Sequence, residues 1–370
     1  MESVISGFLL LLAQISVILL VARLVGWGFR KIHQPRVMGE IVAGLLLGPS
    51  LLGWLAPSVS TTLFPPERLG ALNFLGQVGV LLFMFMVGLK LDLTGVFARG
   101  RTILMISHAS IAVPLVLGVG LAVFLKPKLS EPTVPLIVFA LFIGVALSVT
   151  ALPVLARILD EAKLSSTPIG TVVLACAALK DVTVWFILAG IVALAAHSDD
   201  SALLALTLVG ALLVGAVMPK EPGFVSETTA KLEPVTMTLL LPLYFARTGL
   251  RTSLGLIQGA EMWWYFGLIM LVAVMGMGGG TTMAARFAGM SWREAAIIGI
   301  LLNTRGIMEI VILNIGRDIG VISSTVFAMM LLMALATTCM TMPLLRWWHL
   351  SRTQQPVIIA HEQPNLSQSL

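Results

Sequence analysis

Lys180 and Asp181 are adjacent charged residues within LACAALKDVTVWFIL (174–188), a stretch that is otherwise largely apolar. A charged side chain at the centre of a bilayer costs roughly 2.5–3.5 kcal/mol, so such residues usually face a cavity and mark a functional site. Neighbours on a helix point about 100° apart, which lets both side chains reach one cavity wall. A carboxylate there can hold either a proton or a hard cation, and each displaces the other. The pair predicts an ion site, with a structural ion pair between helices as the alternative.

A second polar feature interrupts LFIGVALSVTALPVLARIL (141–159). Pro153 donates no backbone hydrogen bond and disfavours a continuous helix, and Ser148 and Thr150 lie just before it. Unwound backbone is tolerated at membrane depth only where protein or a water-filled cavity surrounds it. The freed carbonyls and the two hydroxyls are oxygen ligands suited to an alkali cation, and we predict Thr150 as a cation ligand together with Asp181. An ordinary proline kink is the alternative.

A third feature is NTRGIMEIVIL (303–313), where Asn303, Thr304 and Gly306 favour a helix break. Arg305 and Glu309 are four residues apart, so they can neutralise each other on one helix face. The two side chains either stabilise the helix break or contact the ion directly, and the first interpretation is at least as good as the second.

Two further charges lie near the ends of apolar stretches. Arg247, in LPLYFARTGL (241–250), either supports the site or extends to the membrane interface. Glu40 begins the apolar stretch after Arg36, and we predict an ion pair between these two side chains.

Composition places these charges in a membrane. The chain has 370 residues, of which 58% are hydrophobic and 11% charged, and its mean hydropathy is +1.00. A soluble domain has roughly 25% charged residues. The net charge of +5 indicates topology and not nucleic-acid binding, since no basic cluster stands outside the short connections. We predict an all-α polytopic membrane protein with about eleven spans, at 6–29, 38–55, 71–89, 102–125, 134–157, 168–196, 201–219, 233–250, 262–285, 294–315 and 324–346.

The connections between these spans carry an asymmetric charge. One set holds fourteen Lys and Arg residues and the other holds five, namely Arg68, Lys126, Lys128, Arg251 and Arg317. Positive charge favours the cytoplasmic side, so we expect the N-terminus outside and the C-terminus inside. Residues 1–350 then form a membrane transporter domain, and 351–370 form a short polar cytoplasmic tail without a nucleotide-binding domain.

A faint internal repeat relates the two halves of the chain. GEIVAGLLLGP (39–49) is similar to GALLVGAVMPK (210–220), and FMVGLKLDL (85–93) is similar to FARTGLRTSL (245–254). The second match places Lys90 over Arg251. In the predicted topology the matched segments run in opposite directions, which is the inverted repeat that many secondary transporters use to build a central site.

These motifs in this order resemble the monovalent cation:proton antiporter family, and the Kef-like and plant-type exchangers in particular. The resemblance rests on PRVMGEIVAGLLLGPSLLG, LLFMFMVGLKLDL, SVTALPVLARIL, AALKDVTVW, LPLYFARTGL and NTRGIMEIVILNIGRDIGVIS, and it runs over about 30–345. It implies two broken helices that cross near Thr150 and Asn303, with Asp181 as the transport carboxylate. It also implies a homodimer in which a core moves like an elevator against a fixed interface.

The chain departs from this family in two places. Relatives usually carry Asp or Asn before the transport aspartate, where this chain has Lys180, and some carry a lysine on a helix across the site, which 262–285 lacks. We hypothesise that Lys180 supplies that counter-charge and exchanges its proton when a cation binds. In addition, a single span separates the helix of Asp181 from LEPVTMTLLLPLYF, where relatives usually have more.

The sequence thus predicts an antiporter that exchanges protons for Na⁺ or K⁺, and not an enzyme. We expect a homodimer in a bilayer, in a bacterial cytoplasmic membrane, with no cofactor besides the transported ions and no nucleic-acid partner. Two alternatives remain open at this point. One is a transporter of an organic ion on the same scaffold, and the other is a transport-inactive paralogue that serves as a partner or sensor subunit.

Overall fold

A computed structural model describes residues 2–32, 34–90, 100–165, 167–195 and 200–349. These residues form helices and connections, with no strand among them. The α-helices are α1 (Glu2–Lys31), α2 (Arg36–Leu47), α3 (Leu52–Leu55), α4 (Pro57–Leu63), α5 (Gly70–Lys90), α6 (Gly100–Leu129), α7 (Leu136–Ser148), α8 (Leu152–Glu161), α9 (Pro168–Ala195), α10 (Asp200–Val217), α11 (Pro222–Val235), α12 (Leu241–Leu250), α13 (Gly259–Ala273), α14 (Gly280–Phe287), α15 (Trp292–Leu302), α16 (Ile307–Asp318) and α17 (Ser324–His349). The predicted tail, 351–370, lies outside the described residues.

Eight helices or helix pairs in the described ranges are long and apolar enough to cross a membrane. The bent pair α15–α16, with an angle of 47° between its halves, raises the number to as many as nine. The predicted span 201–219 corresponds to α10, whose apolar part, Leu206–Val217, is shorter than a full crossing. The span predicted at 233–250 corresponds to α11 and α12, which are joined by a π-helical segment, Thr236–Leu240. The all-helical membrane fold is confirmed, while the count of eleven spans stays a prediction.

The helices pack in two groups. We call α1, α2, α5 and α10–α12 the panel helices, because α2 packs on α1 and α12 while α5 packs on α10 and α12. We call α6–α9 and α13–α17 the bundle helices, in which α6 packs on α7, α9 and α14, α14 packs on α15, and α16 packs on α17. Both helix breaks lie in the bundle.

Close contacts between panel helices follow the internal repeat. A Cβ added at Gly44 in α2 would collide with the backbone of Phe245 in α12, and one added at Gly215 in α10 would collide with the carbonyl of Phe85 in α5. The first segment of each repeat therefore packs against the second segment of the other. This exchange of partners supports the predicted repeat, since two segments related by symmetry must make equivalent contacts.

Replacing Gly249 with Ala should lower the thermal midpoint, because its Cβ would overlap the backbone of Gly44. Overpacking of this kind costs ~1–3 kcal/mol. The measurement is thermal unfolding of the purified protein in detergent, with Gly267→Ala as the control, since a Cβ at Gly267 meets nothing within 4 Å. Equal midpoints for the two variants would contradict the close packing of α2 on α12.

Candidate functional site

Two interrupted helices meet inside the bundle. The first break, at 149–151, separates α7 from α8, and the second, at 303–306, separates α15 from α16. The breaks touch directly: the Ala151 amide donates to the Thr304 carbonyl at 3.0 Å, and the Thr150 hydroxyl donates to the Leu302 carbonyl at 2.7 Å. The predicted crossing near Thr150 and Asn303 is therefore present.

The composition of each segment explains why it breaks. Pro153 lies in the first turn of α8, where a missing amide hydrogen costs little, so the interruption falls before it and not at a kink within one helix. At the second break, a Cβ on Gly306 would lie 3.0 Å from Cγ2 of Val154 and 3.2 Å from Cβ of Ala151. Glycine thereby allows the two breaks to approach each other closely.

Arg305 joins the two broken helices. Its guanidinium is fully buried and donates to the carbonyls of Ala146 at 3.0 Å and Leu147 at 2.8 Å, in the last turn of α7. A cation at this position also neutralises the negative end of the helix dipole. The Thr338 hydroxyl bonds to both the amide and the carbonyl of Arg305, which fixes the unwound backbone.

The predicted pair of Arg305 with Glu309 is confirmed, with Nη1 and Oε1 3.3 Å apart and both side chains fully buried. Neither carboxylate oxygen of Glu309 has a hydrogen bond within the described residues, so Arg305 is the partner that balances this charge. These contacts favour a structural role for both residues.

Lys180 reaches the crossing from α9. Its ammonium is fully buried and donates to the Thr150 hydroxyl at 2.8 Å and to the Met277 thioether sulfur at 2.7 Å. A thioether is a weak acceptor and a hydroxyl carries no charge, so neither of these two contacts neutralises the ammonium. The structure brings the predicted residues Lys180 and Thr150 together.

Asp181 follows Lys180 on α9 and is only 2% exposed. Its Oδ2 has no hydrogen-bond partner among the described residues, and neither has Oδ1 of Asn303 at the second break. A buried acceptor without a donor is costly, which is why such atoms are found where an ion or proton binds. Asp181 and Asn303 therefore each offer an acceptor oxygen to an ion or a proton, as does Glu309, whose charge Arg305 balances.

Ser148 points away from the crossing. Its hydroxyl is directed at the carbonyls of Gly144 at 2.7 Å and Ile111 at 3.1 Å, which fastens α7 to α6. Its role as an ion ligand stays a prediction.

The two peripheral charges also have defined partners. Glu40 pairs with Arg36 at 3.4 Å, as predicted. Arg247 does not extend to the interface, because it is only 8% exposed and lies 3.6 Å from the Asp318 carboxylate. Arg247 and Asp318 therefore belong to a cluster away from the crossing.

A cavity of about 610 Å³ lies between panel and bundle helices. Its walls include Glu40 and Lys90 from the panel, and Pro153, Asp160 and Ile307 from the bundle. Pro153 and Ile307 begin the helices that follow the two breaks, so the cavity extends towards the crossing.

Sequence reasoning missed Met277 as a contact of Lys180. Met277 lies in a second π-helical segment, Val274–Gly279, between α13 and α14. Segments of this kind occur frequently at functional sites. The signal in the sequence was the glycine run at 276–280, which indicates close packing or a break but does not identify a partner.

Known proteins are similar to this chain in sequence and in fold. The family profile described as "Sodium/hydrogen exchanger, transmembrane" matches residues 16–209 and 205–347. The Na⁺/H⁺ antiporter NhaS4 of Synechocystis sp. is 35% identical over 91% of this chain and 96% of its own length. The cation/H⁺ antiporter 17 of Arabidopsis thaliana is 35% identical over 90% of this chain, which spans 48% of that relative. The K⁺/H⁺ antiporter 1 of Saccharomyces cerevisiae is 30% identical, and the chain spans 46% of it.

The comparisons support the predicted shortening of the middle region. The alignment with NhaS4 has 396 positions, whereas 91% of this chain is about 337 residues, so about 59 positions have no counterpart here. That length equals about two helices of roughly 20 residues with their connections. The two stretches matched by the family profile meet at 205–209, within α10.

A solved structure, that of the sodium proton antiporter MjNhaP1 from Methanocaldococcus jannaschii at pH 8, has the same fold. Its TM-score is 0.59 at 12% identity, covering 92% of this chain and 97% of that one. The resemblance found in the motifs is thus confirmed by the family profile, by the similarity to NhaS4 over nearly its whole length and by the fold. This chain belongs to the sodium/hydrogen exchanger family of monovalent cation:proton antiporters.

Proposed function

We propose that this protein is a secondary antiporter that exchanges protons for Na⁺ or K⁺ through Asp181. The observation that carries the proposal is the buried carboxylate of Asp181, whose Oδ2 has no hydrogen-bond partner within the described residues. Its neighbour Lys180 contacts Thr150 at the helix crossing. The relatives that carry antiporter names support the same reading, and they do not favour an organic-ion transporter or an inactive subunit.

Exchange follows from competition at one carboxylate. A proton and an alkali cation both neutralise Asp181, so binding of one displaces the other. A site that opens to one side of the membrane at a time then couples the two fluxes, because the bundle changes sides only while a proton or a cation neutralises Asp181. The protein acts as a transporter and not as a catalyst of bond changes.

Oxygen atoms at the crossing supply the remaining ligands. The Thr150 hydroxyl and the Oδ1 of Asn303 are the side-chain candidates, and unwound backbone provides carbonyls near both breaks. Hard cations prefer such oxygen donors. The ends of the half-helices place partial charges of both signs at the crossing, as in other transporters with discontinuous helices.

Lys180 provides a positive charge beside Asp181, and this charge is lost when the cation enters. Its ammonium contacts a hydroxyl and a thioether, and neither of these neutralises it. We propose that a cation arriving at Asp181 drives the proton off Lys180, so that this residue carries part of the exchanged proton flux.

We further propose a homodimer in a cytoplasmic membrane, with the N-terminus outside. Helix α1 presents an apolar surface, on which Phe8, Leu20 and Leu24 are each about 60% exposed, and this surface suits contact with lipid or with a second copy. Lipid and a second copy share this face in the proposed assembly.

The test is transport by the purified protein in liposomes that contain a pH-sensitive dye. External Na⁺, K⁺ or Li⁺ should release protons from preloaded liposomes that contain the parent protein. Silence with all three cations would contradict the antiporter function, and a response only to organic ions would favour the same-scaffold alternative.

Lys180→Asn should transport cations faster than the parent at low cation concentration and with a changed pH profile. Removing the competing ammonium should lower the apparent KM by about tenfold, which corresponds to ~1.4 kcal/mol. The charge-preserving variant Lys180→Arg is the control and should not gain affinity. A Lys180→Asn variant with the KM and pH profile of the parent would exclude a role for Lys180 in exchange.

A further inference from the structure

The panel and bundle helices are joined by ion pairs at one end of the molecule. Asp318, the last residue of α16, accepts from Arg251 at 2.7 Å and lies 3.6 Å from Arg247. Nearby, Arg317 donates to the carbonyl of Arg251 at 2.7 Å, and Asn314 donates to the Thr248 hydroxyl at 3.0 Å. This cluster holds the two groups of helices together at that end.

The opposite end is open and its charges are paired differently. The cavity separates the groups there, and the charges on its walls pair within their own group: Arg36 with Glu40, Lys90 with Glu233 at 2.9 Å, and Arg157 with Glu161 at 3.1 Å. None of these three pairs crosses the cavity. Asp160, on the bundle wall, accepts a hydrogen bond from Ser165 and faces the cavity that Lys90 also lines.

The internal repeat relates the charges at the two ends. Lys90 ends α5 with the sequence GLK, and Arg251 follows α12 with the sequence GLR, at matched positions of the repeat. Asp160 and Asp318 lie in the last turns of α8 and α16, the helices that follow the two breaks. Each end therefore has a cation on the panel and a carboxylate on the bundle, but only one end has them in contact.

We propose that Lys90 and Asp160 form the counterpart of the Arg251–Asp318 ion pair in the opposite state of the transporter. When the bundle moves to close the cavity, Lys90 leaves Glu233 and binds Asp160, while Asp318 separates from Arg251. The two pairs form alternately, so that the ion site is sealed from one side whenever it is open to the other. This inference rests on the proposed exchange function.

Cross-linking tests the movement without measuring transport. Lys90→Cys and Asp160→Cys are introduced into full-length protein whose Cys176 and Cys339 are replaced by Ser, and the protein is reconstituted in liposomes and oxidised. Adding Asp318→Asn should raise the yield of the 90–160 cross-link several-fold, as quantified on peptides by mass spectrometry. Arg251→Gln should also raise the yield of the 90–160 cross-link, because it breaks the Arg251–Asp318 pair from the other side.

The control pair is Lys90→Cys with Glu161→Cys, since Glu161 is not part of the cavity wall. Its cross-link should not respond to Asp318→Asn. An unchanged 90–160 yield in both Asp318→Asn and Arg251→Gln, or an equal rise in the control pair, would overturn the proposal. A parent protein that shows no exchange but retains the cross-linking response would contradict the transport function while leaving the alternating pairs intact.

Charge-reversal variants distinguish the proposed pairing of Lys90 with Asp160 from its pairing with Glu233 in this structure. Lys90→Asp should slow exchange, and adding Asp160→Lys should restore it at least in part. If Glu233→Lys restores exchange instead, Lys90 acts only through the pair seen in this structure, and the proposal fails.

Discussion

Replacing Asp181 with Asn should reduce cation-driven proton release to the level of protein-free liposomes. The amide has nearly the same shape as the carboxylate but cannot ionise, so it can neither bind and release a proton nor neutralise a cation. Within the described residues, Oδ2 makes no hydrogen bond that the substitution would remove. We therefore expect a folded, inactive protein, as judged by a monodisperse elution profile and a thermal midpoint close to that of the parent.

Two further variants serve as comparisons for Asp181→Asn. Asp181→Glu keeps an ionisable group but moves it by one methylene, so it should retain reduced exchange with a changed cation preference. Glu131→Gln removes an exposed carboxylate from the loop between α6 and α7 and should exchange like the parent. Normal exchange by Asp181→Asn would show that the transported ions do not use this carboxylate.

Arg305→Met should destabilise the protein more than any other single charge removal discussed above. The substitution leaves the carbonyls of Ala146 and Leu147 without their donor and the buried Glu309 without its cation. Breaking a buried ion pair by removing one partner costs ~3–5 kcal/mol. Thermal unfolding in detergent should show a large fall in the midpoint, together with loss of exchange because the crossing is no longer held.

The chain contains a matched control for this variant. Lys231 and Glu227 form an ion pair with the same four-residue spacing, but both side chains are largely exposed. An exposed pair of this kind contributes ~0.3–0.5 kcal/mol, so Lys231→Met should leave the midpoint almost unchanged. The double variant Arg305→Met with Glu309→Leu should recover part of the loss, because no uncompensated charge remains. A fall of similar size in Arg305→Met and Lys231→Met would mean that burial does not determine the effect.

The helix breaks could be predicted from the sequence because their causes are local. Pro153 restricts the backbone and Gly306 gives it extra freedom, and both disfavour a continuous helix. Polar residues beside them indicate that the freed backbone groups need partners. The i,i+4 spacing of Arg305 and Glu309 likewise predicted their ion pair. Asp181 could be identified from the sequence because placing a charged carboxylate in an apolar membrane helix is energetically costly, so such residues usually have a function.

Long-range contacts could not be predicted in the same way. Whether Ser148 faces the crossing or α6 depends on the rotation of α7, which is nearly uniformly apolar and so carries no information about its orientation. The contact of Lys180 with Met277 joins residues 97 positions apart. Asp318 carries no distinct signal in the sequence, because an acid at a helix end is ordinary, and its role depends on the packing of α16 against Arg251 and Arg247.

Competition between the proton and the cation at Asp181 is tested most directly by the pH dependence of the apparent cation KM. Initial exchange rates of the parent protein in liposomes are measured over a range of Na⁺ and K⁺ concentrations at several pH values. By the reciprocity of linked binding, a proton that excludes the cation should raise the apparent KM by about tenfold per unit of falling pH in the acid range, with the maximal rate little changed. An apparent KM that stays constant while the maximal rate falls with pH would contradict this competition, because proton and cation would then not share one carboxylate.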